Sequence, residues 1–149
     1  MAETIVPRGI TIADRWIDQV RATGHEPDTA NIQRIIDECH WNRPCTDCGA
    51  ELMHAHEEGC DVARCTWTGM QRIGCGETHN HGADIWDGVW PGTSAAVEYG
   101  WYSYFANGWH RCGPGHPQAT PDLNRVPLEC DWDPWRKAWA EHKRQTGGE

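Results

Sequence analysis

Two cysteines separated by two residues and followed by glycine, Cys45-Thr46-Asp47-Cys48-Gly49, form the most chemically loaded short motif of this chain. Such a turn aims both sulfurs at one point, and the glycine permits the tight backbone that brings amide N–H groups to them. This is the chemistry of a zinc knuckle. A redox dithiol of the same spacing normally sits at the start of a helix within a βαβ unit, a pattern lacking here. Eight residues on, His56-Glu57-Glu58-Gly59-Cys60 adds a histidine and a third thiol. Cys45, Cys48, His56 and Cys60 are four soft or borderline donors, and such a set suits a closed, tetrahedral, structural Zn²⁺. His54 is the alternative to His56, because residues two apart on a strand face the same side; His56 is preferred.

Cys65, Cys75, His79 and His81 are candidates for a second metal. Otherwise Cys65 and Cys75 are interior thiols and the two histidines lie in a solvated loop. A rival grouping joins Cys45 and Cys48 to Cys75 and His79, as in a zinc ribbon whose knuckles are separated by strands. Cys39 falls on an apolar helix face and reads as a core thiol, with metal ligation as the alternative. Cys112 and Cys130 have no Cys-His-Asp context and read the same way. Glu57 and Glu58 beside His56 supply the ingredients of a metal-dependent hydrolase on paper, but no His-Glu-x-x-His is present. His79-Asn80-His81 matches a nuclease motif only superficially. There is no phosphate-binding glycine loop and no dinucleotide fingerprint. No residue is assigned a catalytic role, so the chain reads more readily as a non-enzyme.

The composition explains why such a chain needs metal. It has 149 residues, ten Trp and eight Cys, but its only leucines are Leu52, Leu123 and Leu128. So few branched aliphatics limit the core, which must rely on Trp packing and on metal staples. The net charge of −9 and scattered basic residues argue against direct nucleic-acid binding and against an anionic membrane surface. No stretch has the length and apolarity of a membrane span or a signal peptide. A cytoplasmic location is the expectation, and reduced thiols with it.

The elements that must position these residues follow from periodicity. Residues 11–22 read as a helix, with Thr11 and Asp14 as a capping-box-like start and Ile12, Trp16 and Val20 on one face. A break around Gly24 precedes a second helix over 28–40, with Asp28 as N-cap and Ile32, Ile35, Ile36 and Cys39 on its apolar face. Short strands are expected near 51–54, 62–67 and 70–73, the last two joined at Thr68-Gly69. Residues 93–99 read as one or two helical turns ended by Gly100. Strands 101–105 and 109–112 flank Ala106-Asn107-Gly108, the best hairpin signal in the chain. A helical turn lies within 121–130. A C-terminal helix is predicted from about 133 to 143, with Pro134 in its first turn and Trp135 and Trp139 at i, i+4.

The run CTDCG, HEEGCDVARC and TGMQRIGC, with DIWDGVWPG, EYGW and PDLNR further on, resembles a set of small Cys/His-rich, zinc-ribbon-like bacterial and phage proteins. Actinobacterial and actinophage members look most similar. The resemblance spans about residues 45–126 and implies a Cys/His metal module without implying an activity. Thr68 stands where the set has a second knuckle cysteine, and Glu77 where it has a closing cysteine. These departures leave the second metal open, or hand its ligation to His79 and His81.

The expectation is therefore a small α+β protein of one domain. A helical segment over 1–42 precedes a zinc-binding module over 43–82 and a Trp-rich hairpin with a C-terminal helix over 83–149. Its expected role is that of a zinc-stabilised binding or adaptor protein of bacterial or phage origin, acting on a protein partner, host machinery included. It would sit in the cytoplasm, the host's if phage-encoded. A metal-dependent hydrolase or nuclease and a nucleic-acid-associated zinc finger are the alternatives.

Overall fold

The computed structural model describes residues 8–76 and 79–141. The fold is mixed α+β. Helix α1 (Arg8–Ala22) and helix α2 (Thr29–Glu38) come first. A long irregular stretch follows, with one 3₁₀ turn at Arg72–Gly74. Then come α3 (Thr93–Tyr99), β1 (Tyr102–Phe105), β2 (Trp109–Cys112), β3 (Thr120–Pro121), α4 (Val126–Glu129), β4 (Cys130–Asp133) and β5 (Ala138–Glu141).

The helices bury the faces that their periodicity marks. Ile12, Trp16 and Val20 of α1 meet Ile32 and Ile35 of α2 in one core with Trp41, Val97 and Tyr102. Trp16 is wholly buried, so its indole N–H needs a partner, and it donates to Pro114 O at 2.8 Å. Gln19 ties α1 to the second half of the chain. Its amide donates to Val97 O at 2.6 Å, and it accepts from the Tyr102 hydroxyl at 2.6 Å. Asp28 caps α2 by accepting from the Asn31 amide at 3.0 Å. Cys39 closes α2 as its C-cap and packs, half-buried, against the helical core.

The expected hairpin around Asn107-Gly108 forms, with Tyr102 opposite Cys112 and Phe105 opposite Trp109. β3 joins the free edge of β1 and makes the sheet order β2-β1-β3. Gly100, at φ +73°, ends α3 in the left-handed conformation that glycine adopts without steric cost.

Three sequence expectations are corrected. Residues 8–10 are already helical, so Thr11 lies inside α1 and does not cap it. A capping pattern marks where a helix can begin, and the turn here propagates upstream. In the central region the expected strands shrink to single bridges, Ala55 with Ile85 and Arg64 with Gln71. Cysteine turns interrupt the extended backbone there, and Met53 adopts φ +68°.

The third correction is the C-terminal helix, which is instead a hairpin of β4 and β5 with Trp132 opposite Trp139. Asp133 accepts from the Trp135 and Arg136 amides at 3.0 and 3.2 Å and folds the chain into a turn. The Trp135/Trp139 spacing that mimics a helix face puts Trp135 in that turn, 84% exposed. Trp139 stacks edge-on with Trp132 at 5.3 Å. Residues 142 and 143 of the predicted helix lie outside the described residues.

Candidate metal centres

The first knuckle is built by two backbone hydrogen bonds. Gly49 N donates to Cys45 O at 2.8 Å, and Cys45 N donates to Ala50 O at 2.9 Å. Gly49 sits at φ +78°. The turn aims Cys45 and Cys48 toward the loop that carries His56 and Cys60. The four donor atoms of Cys45, Cys48, His56 and Cys60 lie within 4.8 Å of one another. Cys45, Cys60 and His56 are buried. His54 is exposed and outside the set.

Spacing within the set tests whether a metal fits. A tetrahedral ion with the usual Zn–S and Zn–N bond lengths separates two sulfurs by about 3.8 Å and a sulfur from a nitrogen by about 3.5 Å. Cys45 Sγ lies 3.7 Å from Cys60 Sγ. His56 Nδ1 lies 3.5 Å from both Cys48 Sγ and Cys60 Sγ. These match three of the six edges of a metal-sized tetrahedron, whereas a disulfide would hold its sulfurs about 2 Å apart.

Backbone amides face two of the sulfurs. Glu57 N donates to Cys48 Sγ at 3.4 Å, and Val62 N to Cys60 Sγ at 3.3 Å. Burial opposes ionisation of Cys48, but the Glu57 amide, the His56 ring and the Ala50 amide outweigh it and hold the thiol down at about 6. Burial pushes Cys60 up to about 12, despite the Val62 and Ala63 amides. Neighbouring buried thiols cannot all ionise without a cation to share.

The second centre repeats the first knuckle with one ligand changed. Gly69 N donates to Cys65 O at 2.8 Å, and Cys65 N donates to Met70 O at 2.7 Å, the same pair of bonds two decades of residues later. Thr68 occupies the place that Cys48 holds in the first turn. Its hydroxyl accepts from Met70 N at 3.2 Å and lies 3.9 Å from Cys75 Sγ. The return leg supplies the replacement. Cys65, Cys75, His79 and His81 bring their donor atoms within 4.8 Å of one another. His79 Nε2 lies 3.5 Å from Cys65 Sγ and 3.6 Å from Cys75 Sγ, matching two edges of a metal-sized tetrahedron. Buried His81 Nδ1 has no hydrogen-bond partner, a costly state for a ring nitrogen unless an ion completes it. Burial raises the Cys65 pKa, but the His81 ring, the Thr68 hydroxyl and the Trp67 and Thr68 amides bring it down to about 6. The rival grouping of Cys45 and Cys48 with Cys75 and His79 is not the one the fold assembles. Glu77 lies outside the described residues.

Asp84 is the residue that sequence reasoning missed. It is buried at 6% exposure, and Oδ2 lies 3.8 Å from His56 Nε2, on the far side of the ring from the sulfurs. It also accepts from Arg64 N at 3.0 Å and Arg64 Nε at 3.3 Å, next to Cys65. A carboxylate behind a ligating histidine helps to orient the ring. No local motif announces it, because its partners are 28 and 20 residues away in the chain. We expect Asp84→Asn to weaken metal binding at the first centre by roughly 10- to 100-fold, measured by competition with a chromophoric chelator. Unchanged affinity would reduce Asp84 to a partner of Arg64.

The remaining cysteines take no part. Cys39 and Cys112 pack half-buried against the helical core. Cys130 is buried with Ala96, Trp101 and Val126. Burial raises the pKa of Cys39 and of Cys112, with Glu38 and Asp122 adding to it respectively, so neither is an activated nucleophile. Glu57 and Glu58 are exposed and contribute to neither donor set. No family model, curated protein or solved structure matches this chain. Among the described residues, no helix is long and apolar enough to cross a membrane.

Proposed function

We propose that the chain is a small binding or adaptor protein whose two Cys/His centres hold structural Zn²⁺ and that it acts through protein–protein contact. The observation that carries the reading is the completeness of both donor sets. Each has four Cys or His donors, and a four-coordinate ion with four protein ligands has no position left for a catalytic water. The soft sulfur and borderline imidazole donors suit zinc. A metal-dependent hydrolase would need one position open and a carboxylate base beside it, and Glu57 and Glu58 stand outside both sets.

Aromatic pairs on the surface support the binding role. Trp67 and Trp135 meet edge-on at 5.7 Å, and Phe105 and Trp109 at 5.5 Å, with all four side chains exposed. Trp is favoured at protein-binding hot spots. The resemblance to actinobacterial and actinophage proteins suits a bacterial or phage adaptor, host machinery being one partner. Native mass spectrometry should find two Zn²⁺ per chain. Alanine at Trp67 and Trp135 should leave both ions in place while abolishing co-purification of a host protein. A chain carrying one ion or none, or one hydrolysing phosphodiester or peptide substrates only when zinc-loaded, would overturn the reading.

A further inference from the structure

Away from the metal centres, a cleft of about 330 Å³ opens between the segment that follows α2 and the β2-β1-β3 sheet. Trp41, Trp90 and Trp109 line it together with Leu123. Two indoles are firmly placed. Trp41 is buried, and the Trp90 N–H donates to Cys39 O at 3.1 Å. Trp109 stands at the surface, 58% exposed. Asp122 is the one charged residue among those lining the cleft, and no Lys, Arg or His faces it from the walls. We propose that this cleft binds a fully methylated ammonium group, such as a trimethylammonium head.

The chemistry of the walls selects that ligand class. Indole faces attract cations through their quadrupole, and quaternary ammonium groups are recognised by cages of such rings. A carboxylate on the wall adds a charge of the right sign, and a net charge of −9 concentrates cations around the whole molecule. An anion meets the opposite, a carboxylate and no basic group. A sugar or a nucleoside needs many hydrogen-bonding partners, and beyond the exposed Asn124 amide the cleft has few to offer. Ser103 and Thr93 are buried at 3% and 2% exposure. The Thr120 hydroxyl already donates to Ser103 O at 3.2 Å. Asp122 Oδ1 already accepts from Arg125 N at 3.3 Å. A trimethylammonium head carries no N–H and asks for no acceptor, so its methyl surface and charge match an aromatic wall with one carboxylate.

Two sources carry that head, a free molecule such as choline or a trimethylated lysine in a peptide. Trp109 and Thr120 also border a shallower groove with Phe105 and Arg34, where a chain beside the head could lie. The reading is independent of the metal's identity and of the adaptor role.

The test uses the metal-loaded full chain and four probes. They are choline chloride, its neutral isostere 3,3-dimethylbutan-1-ol, a short peptide with trimethyllysine, and the same peptide with unmodified lysine. Proton NMR and calorimetry should show a saturable upfield shift of the N-methyl resonance. Choline should bind on the order of tenfold more tightly than its isostere. Trp109→Ala and Asp122→Asn should each weaken binding by about tenfold while the folded spectrum is kept, and Trp109→Phe should retain part of it. A trimethyllysine peptide that binds more tightly than choline, with its unmodified counterpart silent, assigns the ligand to a protein. Equal affinity for choline and the peptide assigns it to a small molecule. Absence of saturable binding by either cation at millimolar concentration overturns the proposal. So does an isostere that binds as well as choline, or a Trp109→Ala variant that binds like the parent.

Discussion

Replacing Cys60 with Ser should cost the protein one metal and the fold of its central region together. Cys60 is 1% exposed and lies 3.7 Å from Cys45 Sγ and 3.5 Å from His56 Nδ1, at the buried centre of the donor set. A structural Zn²⁺ contributes on the order of 10 kcal/mol to folding, against a total stability of about 5–15 kcal/mol for a domain of this size. The cluster around the first centre has little else. Its buried apolar members are Ala50, Val62, Ala63 and Trp86 beside the ligands themselves, and three of those four are small. The Cys60→Ser chain should show one ion by native mass spectrometry and a melting transition lowered by tens of degrees, or none. Cys39→Ser is the control. That thiol packs half-buried on the helical core, so both ions should stay and stability should fall by about 1 kcal/mol. A Cys60→Ser protein with two ions and the parent melting temperature would contradict the assignment.

The second large effect is expected at the far end of the chain from the mutation. The second knuckle is the platform on which the C-terminal hairpin rests. Trp132 N–H donates to Thr66 O at 2.8 Å, and the Arg64 guanidinium lies 5.0 Å over the Trp132 ring. Trp135 meets Trp67 edge-on. Gly69 passes so close that a Cβ there would lie 2.6–2.8 Å from the Trp132 ring, and its φ is +72°. Cys75→Ser should therefore release the second ion and loosen the Trp132 face and the turn at 133–138. The Cys130 end should hold, since Cys130 and Trp139 pack with Ala96, Trp101 and Val126. Gly69→Ala should undock the same face by steric clash and backbone strain, about 2 kcal/mol or more, with the ion retained.

Hydrogen exchange read at the Trp132 indole and the turn amides distinguishes the two routes. Both variants should accelerate exchange there by at least about tenfold, while amides of α1, α2 and β1 keep their protection. Unchanged exchange in Cys75→Ser would mean that the hairpin is held without the second centre.

Much of this was legible in the residues themselves. Cys45-x-x-Cys48-Gly49 and His56-x-x-x-Cys60 are local patterns whose geometry depends on a few backbone angles, and the structure assembles all four. The faces of α1 and α2, the α3 stop at Gly100 and the Asn107-Gly108 hairpin are likewise short-range. Each rests on a period of 3.6 or 2, or on one left-handed residue. The C-terminal segment was misread because Trp135 and Trp139 fit a helix by spacing alone, while Trp132 and Trp139 pair across a turn that Asp133 closes. Asp84 was missed because a carboxylate behind a histidine has no sequence pattern.

The amino-acid sequence by itself determined that this chain carries a Cys-x-x-Cys-Gly turn able to hold a metal, and a Leu-poor, Trp-rich composition. Only the tertiary structure decided how the later donors divide. Cys65 and Cys75 had two possible destinations and His79 and His81 had others. The choice depended on whether the second knuckle closes without its own second cysteine. It does close, because Gly69 and Met70 make the same two backbone bonds as Gly49 and Ala50, and the turn does not need a sulfur at Thr68 to form. The fourth donor then comes from wherever the chain returns, and that is a long-range fact. Thr66 N bonds His81 O at 2.8 Å and so sets His81 beside Cys65. Ligand identity is a matter of residue type, but ligand grouping is a matter of which loops the core and the backbone hydrogen bonds bring together.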